Sequence, residues 1–184
     1  VLLVHGGAGG VGTSAIQVGK ALGGMVIATA TGERDIKVCF DTGADHVIDW
    51  QNEDIVTRVK ELTDGRGADV IYDPVGGDAF DASTHCINFE GRLIVIGFAS
   101  GRIPEIKGHM ILNKNMSVMG FFWTNNLFKR PDLVDDYQDE INRLYLEGKF
   151  PPVVSAVLPM TDLPKSLDMI TNRDAYGKIV LVNE

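Results

Sequence analysis

A glycine-rich turn between an apolar run and an amphipathic helix constrains this chain more than any other feature. The chain opens with Val-Leu-Leu-Val at residues 1–4, an apolar run typical of a fully buried strand. Gly7, Gly9 and Gly12 follow in G-x-G-x-x-G spacing, and apolar residues then recur at helical intervals up to Leu22. Glycine at these places lets the chain turn tightly and lets backbone N–H groups approach a phosphate. The stretch predicts a strand–turn–helix unit that holds a pyrophosphate at the helix N-terminus; a plain tight turn is the alternative.

Strand-like and helical stretches alternate along most of the chain. Short apolar runs typical of buried strands follow the first helix at residues 25–28, 47–48, 68–72 and 93–96. Helical stretches separate them, which predicts right-handed βαβ units and a doubly wound α/β sheet. We predict that a further strand begins at Ser117 and ends at Phe122, and that Pro131 begins a long helix.

A break in composition divides the chain. Pro151 and Pro152 follow the predicted long helix, and the residues beyond them read as a strand, a helix and a last strand. We therefore expect a dinucleotide-binding domain over residues 1–150 and a separate C-terminal segment over residues 151–184.

Composition excludes several classes of function. The formal net charge of −8, with no Lys/Arg cluster, argues against a nucleic-acid or anionic-membrane binder. No apolar run approaches the roughly 18 residues that a membrane span needs. The two cysteines, Cys39 and Cys86, have no ligand spacing with each other or with the four histidines, so no metal site is predicted. We expect a cytoplasmic protein; a mitochondrial location stays open, because the sequence opens inside a strand without methionine and a targeting segment would lie upstream.

The end of the second predicted strand bears on cofactor choice. NAD-specific folds place an acidic residue there for the ribose 2′-hydroxyl, but this chain has Thr29-Ala-Thr-Gly32. Arg34 and Lys37 follow, and a missing carboxylate with a nearby cation favours the 2′-phosphate of NADP. The alternative is that Arg34 and Lys37 only lie on a solvated helix face and do not contact a cofactor.

Two more turns follow predicted strands, at residues 73–77 and 97–101. In open α/β sheets ligands bind outside the carboxyl ends of the strands, so both turns are expected to face the same crevice as the glycine loop. None of the four histidines has an evident acid/base or nucleophile partner in the sequence. The residues therefore indicate cofactor binding and leave the catalytic residues unknown.

These stretches, in this order, resemble the medium-chain dehydrogenase/reductase superfamily, and most of all its zinc-independent NADPH:quinone oxidoreductase (zeta-crystallin-like) branch. The likeness runs through nearly the whole chain. Its matching stretches are residues 5–12, 42–49, 67–70, 73–77, 91–97 and 177–181.

The resemblance implies a Rossmann cofactor domain with six parallel strands, and it implies which residues meet the cofactor. Many relatives contact the 2′-phosphate with a lysine where this chain has Asp35, and Arg34 next to it can substitute. The resemblance places the pyrophosphate at Ala8, Gly9, Gly10 and Val11, the adenosine at Thr31, Arg34 and Trp50, and the nicotinamide at Val75, Gly76, Gly97, Phe98, Phe121 and Phe122.

The resemblance also implies partners and a missing part. Family members commonly form homodimers through their sixth strand, here the one that begins at Ser117. The N-terminal catalytic domain of the family, with its substrate-facing tyrosine, is not in this sequence, and residues 151–184 resemble the segment that returns to it.

The expected function is an NADPH-dependent oxidoreductase that reduces quinones or α,β-unsaturated carbonyls by hydride transfer, represented here by its cofactor domain. On its own this fragment is expected to bind NADPH and turn over quinone very slowly. Two alternatives stay open, a non-catalytic dinucleotide-binding or sensing module and a zinc-type alcohol dehydrogenase.

Overall fold

A computed structural model describes residues 1–183 and contains one six-stranded sheet and one two-stranded sheet. The strands are β1 (Leu2–Val4), β2 (Val26–Ala30), β3 (His46–Asp49), β4 (Ala68–Asp73), β5 (Ile87–Val95), β6 (Ser117–Gly120), β7 (Val154–Pro159) and β8 (Lys178–Val182). The large sheet has the order β3-β2-β1-β4-β5-β6, and every neighbouring pair in it is parallel. The prediction of a doubly wound, six-stranded parallel Rossmann sheet is confirmed.

Helices connect successive strands, as the alternating pattern predicts. The chain leaves β1 towards β2 and β3 on one side, and then returns to build β4, β5 and β6 on the other. The strand order therefore reverses between β1 and β4, where open α/β sheets bind their ligands. The α-helices are α1 (Gly12–Ala21), α2 (Gly32–Asp41), α3 (Ile55–Leu62), α4 (Gly77–Cys86), α5 (Gly108–Lys114), α6 (Trp123–Lys129), α7 (Pro131–Leu146) and α8 (Leu163–Thr171).

The central strands are apolar because both faces of the sheet are covered. Leu3 packs in a cluster with Ile27, Ile71 and Phe80 on one face. Its neighbour Val4 packs in a second cluster with α1 on the other face. Adjacent residues of a strand point to opposite faces, so a run without polar residues indicates burial on both sides.

Three elements differ from the prediction. β5 begins at Ile87, before the apolar run that predicts it. Its first half carries no continuous apolar run because it is irregular: Glu90 has φ +57 and the pairing with β4 shifts register. β6 ends at Gly120, so Phe121 and Phe122 lie beyond it, although the Phe121 amide still donates to the Val95 carbonyl at 3.0 Å. α6, which follows them, has no clear helical pattern and is not predicted.

Residues 151–183 contain the two-stranded sheet, and we refer to them as the C-terminal unit. β7 and β8 pair in parallel, with α8 between them and a 3-10 turn at Met160–Asp162. The C-terminal unit contacts α1, since Gln17 Nε2 donates to the Pro151 carbonyl at 2.8 Å. No helix within residues 1–183 combines the length and apolar character needed to cross a membrane.

Candidate functional site

The glycine loop between β1 and α1 is held by close backbone contacts. The Gly7 amide donates to the Thr29 carbonyl at 2.8 Å, and the Gly9 amide donates to the Gly6 carbonyl at 3.0 Å. A Cβ on Gly12 would lie 2.1 Å from the Gly6 oxygen. Only glycine lets the first turn of α1 approach the loop this closely, which explains the third glycine of the predicted motif.

The loop leaves backbone amides free for a ligand. Within residues 1–183, the N–H groups of Ala8, Gly10 and Val11 donate no hydrogen bond to protein. Gly9 and Val11 are exposed, and α1 begins directly after Val11. Free amides beside a helix N-terminus fit a phosphate group, so the loop meets the requirement for a pyrophosphate cradle.

A buried histidine holds the loop to the domain core. His5 is fully buried; its Nε2 lies 2.8 Å from Ser83 Oγ and its Nδ1 lies 3.2 Å from Thr29 Oγ1. Ser83 Oγ donates to the Ala79 carbonyl, so it accepts from the Nε2–H of His5. Nδ1 then accepts from the Thr29 hydroxyl, which in turn accepts from the Gly6 amide. The chain of bonds is complete only with a neutral imidazole.

Electrostatics agree with this proton arrangement. Burial lowers the pKa of His5 from 6.5 to about 4, against the opposing effect of the nearby Asp73 carboxylate. His5, one of the four histidines without an evident catalytic partner in the sequence, thus has a structural role: its contacts join β1, β2 and α4 beneath the glycine loop.

The predicted adenosine-binding residues lie together at the end of β2. Thr31 directly follows β2 and precedes α2, and the Trp50 amide donates to the Ala30 carbonyl at 3.2 Å. Arg34 is engaged within the protein: Nε donates to the Asp35 carboxylate, and its two Nη atoms donate to the carbonyls of Arg173 and Asp174 at 2.7 and 2.9 Å. This contact with the loop before β8 links α2 to the C-terminal segment, and it is not evident from the sequence.

The turn after β4 is organised by Asp73, whose side chain is buried. Asp73 Oδ1 accepts the amides of Val75 and Gly76 at 2.8 and 2.9 Å. Gly76 has φ +67, and a Cβ there would lie 3.1 Å from the Phe98 ring. The turn after β5 is tied to it, since the Ser100 amide donates to the Val75 carbonyl at 2.9 Å. The two turns therefore form one wall of the crevice, as their positions after neighbouring strands predict.

An open cavity of about 590 Å³ lies at the carboxyl ends of β5 and β6. Gly97, Phe98, Phe121 and Phe122, all predicted for the nicotinamide end, line it together. Among the described residues, the polar side chains of its lining are Asn125 and Asn126 of α6, which the sequence analysis did not find because α6 was not predicted. Within residues 1–183, no group of three or more His, Cys, Asp or Glu side chains is arranged to hold a metal ion.

The comparisons with known proteins agree with this arrangement. The family model described as zinc-binding dehydrogenase matches residues 10–145. The chain belongs to this family. This membership confirms the predicted place of the chain in the medium-chain dehydrogenase/reductase superfamily. The chain matches the cofactor domain of such proteins.

Individual relatives include proteins named as quinone oxidoreductase, as quinone oxidoreductase-like or as a probable oxidoreductase. The chain is 34% identical to the quinone oxidoreductase-like protein 2 homolog of Nematostella vectensis, over 98% of this chain and 50% of that protein. Among solved structures, Escherichia coli quinone oxidoreductase complexed with NADPH has a TM-score of 0.88 and 28% identity, over 98% of this chain and 56% of that one. A probable oxidoreductase from Mycobacterium abscessus has a TM-score of 0.86 and 33% identity, over 98% of this chain and 53% of that one. The chain thus spans about half the length of these relatives.

Proposed function

We propose that this chain is the cofactor-binding part of an NADPH-dependent oxidoreductase that reduces quinones or α,β-unsaturated carbonyls. One observation carries the proposal: a loop with free amides at Ala8, Gly10 and Val11 opens at the switch point of the sheet. The largely apolar cavity after β5 and β6 lies on the same carboxyl-end edge of the sheet. A dinucleotide fits along such an edge. Its pyrophosphate lies on the loop amides, and one of its ends lies among apolar side chains.

The residues of this chain have separate tasks in that reaction. The loop amides bind the pyrophosphate, and Trp50 and Thr31 flank the adenosine. Val75, Phe98 and Phe121 orient the nicotinamide ring and exclude water from one side of it. NADPH, when bound, supplies the hydride that passes to an electron-poor carbon of the substrate. Within residues 1–183 the cavity side chains are apolar apart from two asparagines, so a proton reaches the product from solvent or from another part of the protein.

NADPH is preferred over NADH in this proposal. The end of β2 carries no carboxylate to accept a ribose 2′-hydroxyl, and Arg34 lies beside it in the first turn of α2. Arg34 is half exposed, and each of its Nη atoms uses one N–H on a backbone carbonyl and keeps another. The NADPH complex of the Escherichia coli relative supports the same choice.

The division of the chain belongs to the same proposal. Residues 1–150 form the cofactor domain, and residues 151–184, of which Glu184 lies outside the described part, return to a catalytic domain elsewhere in the protein. The C-terminal unit exposes several large apolar side chains, which a second domain would cover. They are Val157, Leu163, Leu167, Ile170, Val180 and Val182.

The proposal also includes a homodimer, which forms when β6 pairs with β6 of a second copy. β6 is an edge strand of the large sheet, and Met119 on it is 50% exposed. An unpaired apolar edge invites pairing with another strand, and a second copy of the same edge is self-complementary.

Calorimetric titration of this chain with NADPH and with NADH tests the cofactor assignment. We expect tighter binding of NADPH, and we expect Arg34→Ala to reduce the affinity for NADPH more than that for NADH. Lys37→Ala tests the second cation that follows β2: Lys37 lies one turn further along α2 and pairs with Asp41, so we expect its loss to change neither affinity. Preference for NADH would overturn the specificity, and binding of neither would overturn the cofactor site.

Among the described residues no acid/base side chain lines the cavity, and this keeps open a dinucleotide-binding module without catalysis. Assays of the whole protein with quinones and enones separate the two, because the module would bind NADPH without oxidising it. Metal analysis of the same preparation tests the zinc-type alcohol dehydrogenase.

A further inference from the structure

The segment between β5 and α5, residues 96–107, lies on the N-terminal end of α4, and we call it the β5–α5 loop. The Gly77 amide, the first of α4, donates to the Arg102 carbonyl at 3.1 Å. A Cβ on Gly77 would lie 2.7 Å from Ser100 Oγ, and one on Gly76 would lie 3.1 Å from the Arg102 oxygen. These two successive glycines, with φ +67 and +55, leave the room that the loop occupies.

Arg102 also joins the loop to α4 through its side chain. Its Nη2 atom lies 2.8 Å from Asp78 Oδ1 and 2.6 Å from Asp81 Oδ2. The two carboxylates are three positions apart on α4 and so lie on one face of it, where one guanidinium can pair with both. We call these two ion pairs the Arg102 bridge. It ties the loop to a helix that is itself fixed in the core by the buried side chains of Ala79 and Phe80.

The rest of this part of the loop has little to hold it. Every residue from 98 to 103 is exposed. The amides of Ala99 and Ser100 donate to carbonyls of the turn at residues 73–77, at 3.0 and 2.9 Å, from an exposed segment. Exposed backbone bonds without buried apolar contacts open at a low free-energy cost. The Arg102 bridge therefore contributes a large share of what keeps the loop closed.

Phe98 connects this contact with the cavity. Its ring lines the cavity and is 41% exposed, so its position depends on the backbone that carries it. The Gly101 amide donates to the Phe98 carbonyl at 2.8 Å, and this turn ends one residue before Arg102. A Cβ on Gly76 would lie 3.1 Å from Phe98 Cδ1, so the closed loop holds the ring against the neighbouring turn.

We propose that Arg102 is a positioning residue for the nicotinamide end of the cavity: its bridge to Asp78 and Asp81 holds the β5–α5 loop closed and keeps the Phe98 ring in the cavity wall. The inference rests on the proposed binding of NADPH and extends it to a residue that does not line the cavity. Within residues 1–183 the glycine loop makes no hydrogen bond to the β5–α5 loop, so loss of the bridge leaves the pyrophosphate contacts in place.

The test combines two measurements on this chain. Hydrogen exchange of the Ala99 and Ser100 amides, followed by NMR without ligand, measures how often the loop opens. Calorimetry with NADPH and with 2′-phospho-ADP-ribose measures the consequence for binding. The second ligand lacks only the nicotinamide, so the difference between the two affinities reports on the nicotinamide end alone.

The variants separate the charge of Arg102 from its bulk. Arg102→Met removes the charge and keeps an apolar stem, whereas Arg102→Lys keeps the charge. Arg143→Met is the matched control, because Arg143 also pairs with two carboxylates of a helix, those of Glu140 and Glu147, and does not line the cavity. Thermal unfolding without ligand checks that each variant is folded.

We expect Arg102→Met to speed the exchange of both amides by about 3- to 10-fold, the scale of two exposed ion pairs. It should weaken NADPH binding by about 2- to 4-fold, a smaller effect because the loop still closes part of the time, and should leave 2′-phospho-ADP-ribose binding unchanged. High salt should bring the exchange of the wild type towards that of the variant, since it screens exposed charges. Arg102→Lys retains most of the protection, and Arg143→Met changes neither measurement.

A cycle of substitutions tests whether Arg102 acts through its two partners. Asp78→Asn combined with Asp81→Asn should reproduce the effect of Arg102→Met. Adding Arg102→Met to that pair should change nothing further, because the bridge is already absent. Additive effects would show that Arg102 acts elsewhere and would overturn the inference.

Other outcomes distinguish the inference from the proposed function. Unchanged exchange of the two amides in Arg102→Met refutes the bridge as the contact that closes the loop. Faster exchange with unchanged NADPH affinity, or with equal losses for both ligands, refutes the role at the nicotinamide end. If the wild-type chain binds neither ligand, the proposed cofactor function is refuted, and the exchange rates still decide whether the bridge holds the loop.

Discussion

Mild acid should destabilise this domain through one buried side chain, His5. The native state holds its imidazole neutral, between the Thr29 and Ser83 hydroxyls, and its pKa falls from 6.5 to about 4. Between these two values the unfolded chain binds a proton that the folded chain excludes. The stabilisation is therefore complete above pH 6.5 and is lost as pH falls towards 4.

The magnitude follows from the size of that change. Each pKa unit corresponds to about 1.4 kcal/mol, so a fall from 6.5 to about 4 corresponds to about 3 kcal/mol of unfolding free energy. About 2 kcal/mol of it disappears between about pH 7.5 and about pH 5, before most carboxylates begin to titrate. That loss is a large fraction of the stability of an ordinary domain.

Urea unfolding at both pH values, followed by tryptophan fluorescence, measures the loss. His5→Asn is the comparison: it is less stable throughout, but its unfolding free energy should depend less on pH by about 2 kcal/mol. A parallel pH dependence in wild type and variant would refute the reasoning. So would a native-state NMR titration in which the His5 imidazole takes up a proton near its ordinary pKa.

Two further predictions concern the loop and the edge strand. Gly12→Ala places a Cβ 2.1 Å from the Gly6 oxygen, so we expect a loss of about 3 kcal/mol in urea unfolding, together with weaker NADPH binding. Gly108→Ala is the control, because it begins α5 with nothing within 4 Å and should cost nothing; equal effects would mean that the loop relaxes freely. Met119→Glu adds a charge to the exposed edge of β6, and we expect sedimentation to show a shift from dimer to monomer. Met160→Glu changes a residue of similar exposure, 47% against 50%, and should leave the dimer intact; a wild-type monomer would refute the edge pairing.

The amino-acid sequence by itself was enough to predict the parallel sheet and the crevice at the carboxyl ends of its strands. Buried parallel strands need continuous apolar runs, and the turn from β1 into α1 needs glycine at Gly12, so both features are visible in local sequence. The carboxyl ends of successive strands then follow from topology, which is why the turns at residues 73–77 and 97–101 could be assigned to one crevice in advance.

Only the tertiary structure decided which distant side chains lie beside the proposed cofactor site. Lys178 reaches Gly10, and Arg34 reaches the carbonyls of residues 173 and 174, through contacts that no periodicity encodes. The neutral state of His5 likewise depends on Ser83, a residue 78 positions away. Local sequence specifies backbone conformation and burial, whereas these contacts arise from how the C-terminal unit and α4 pack onto the sheet.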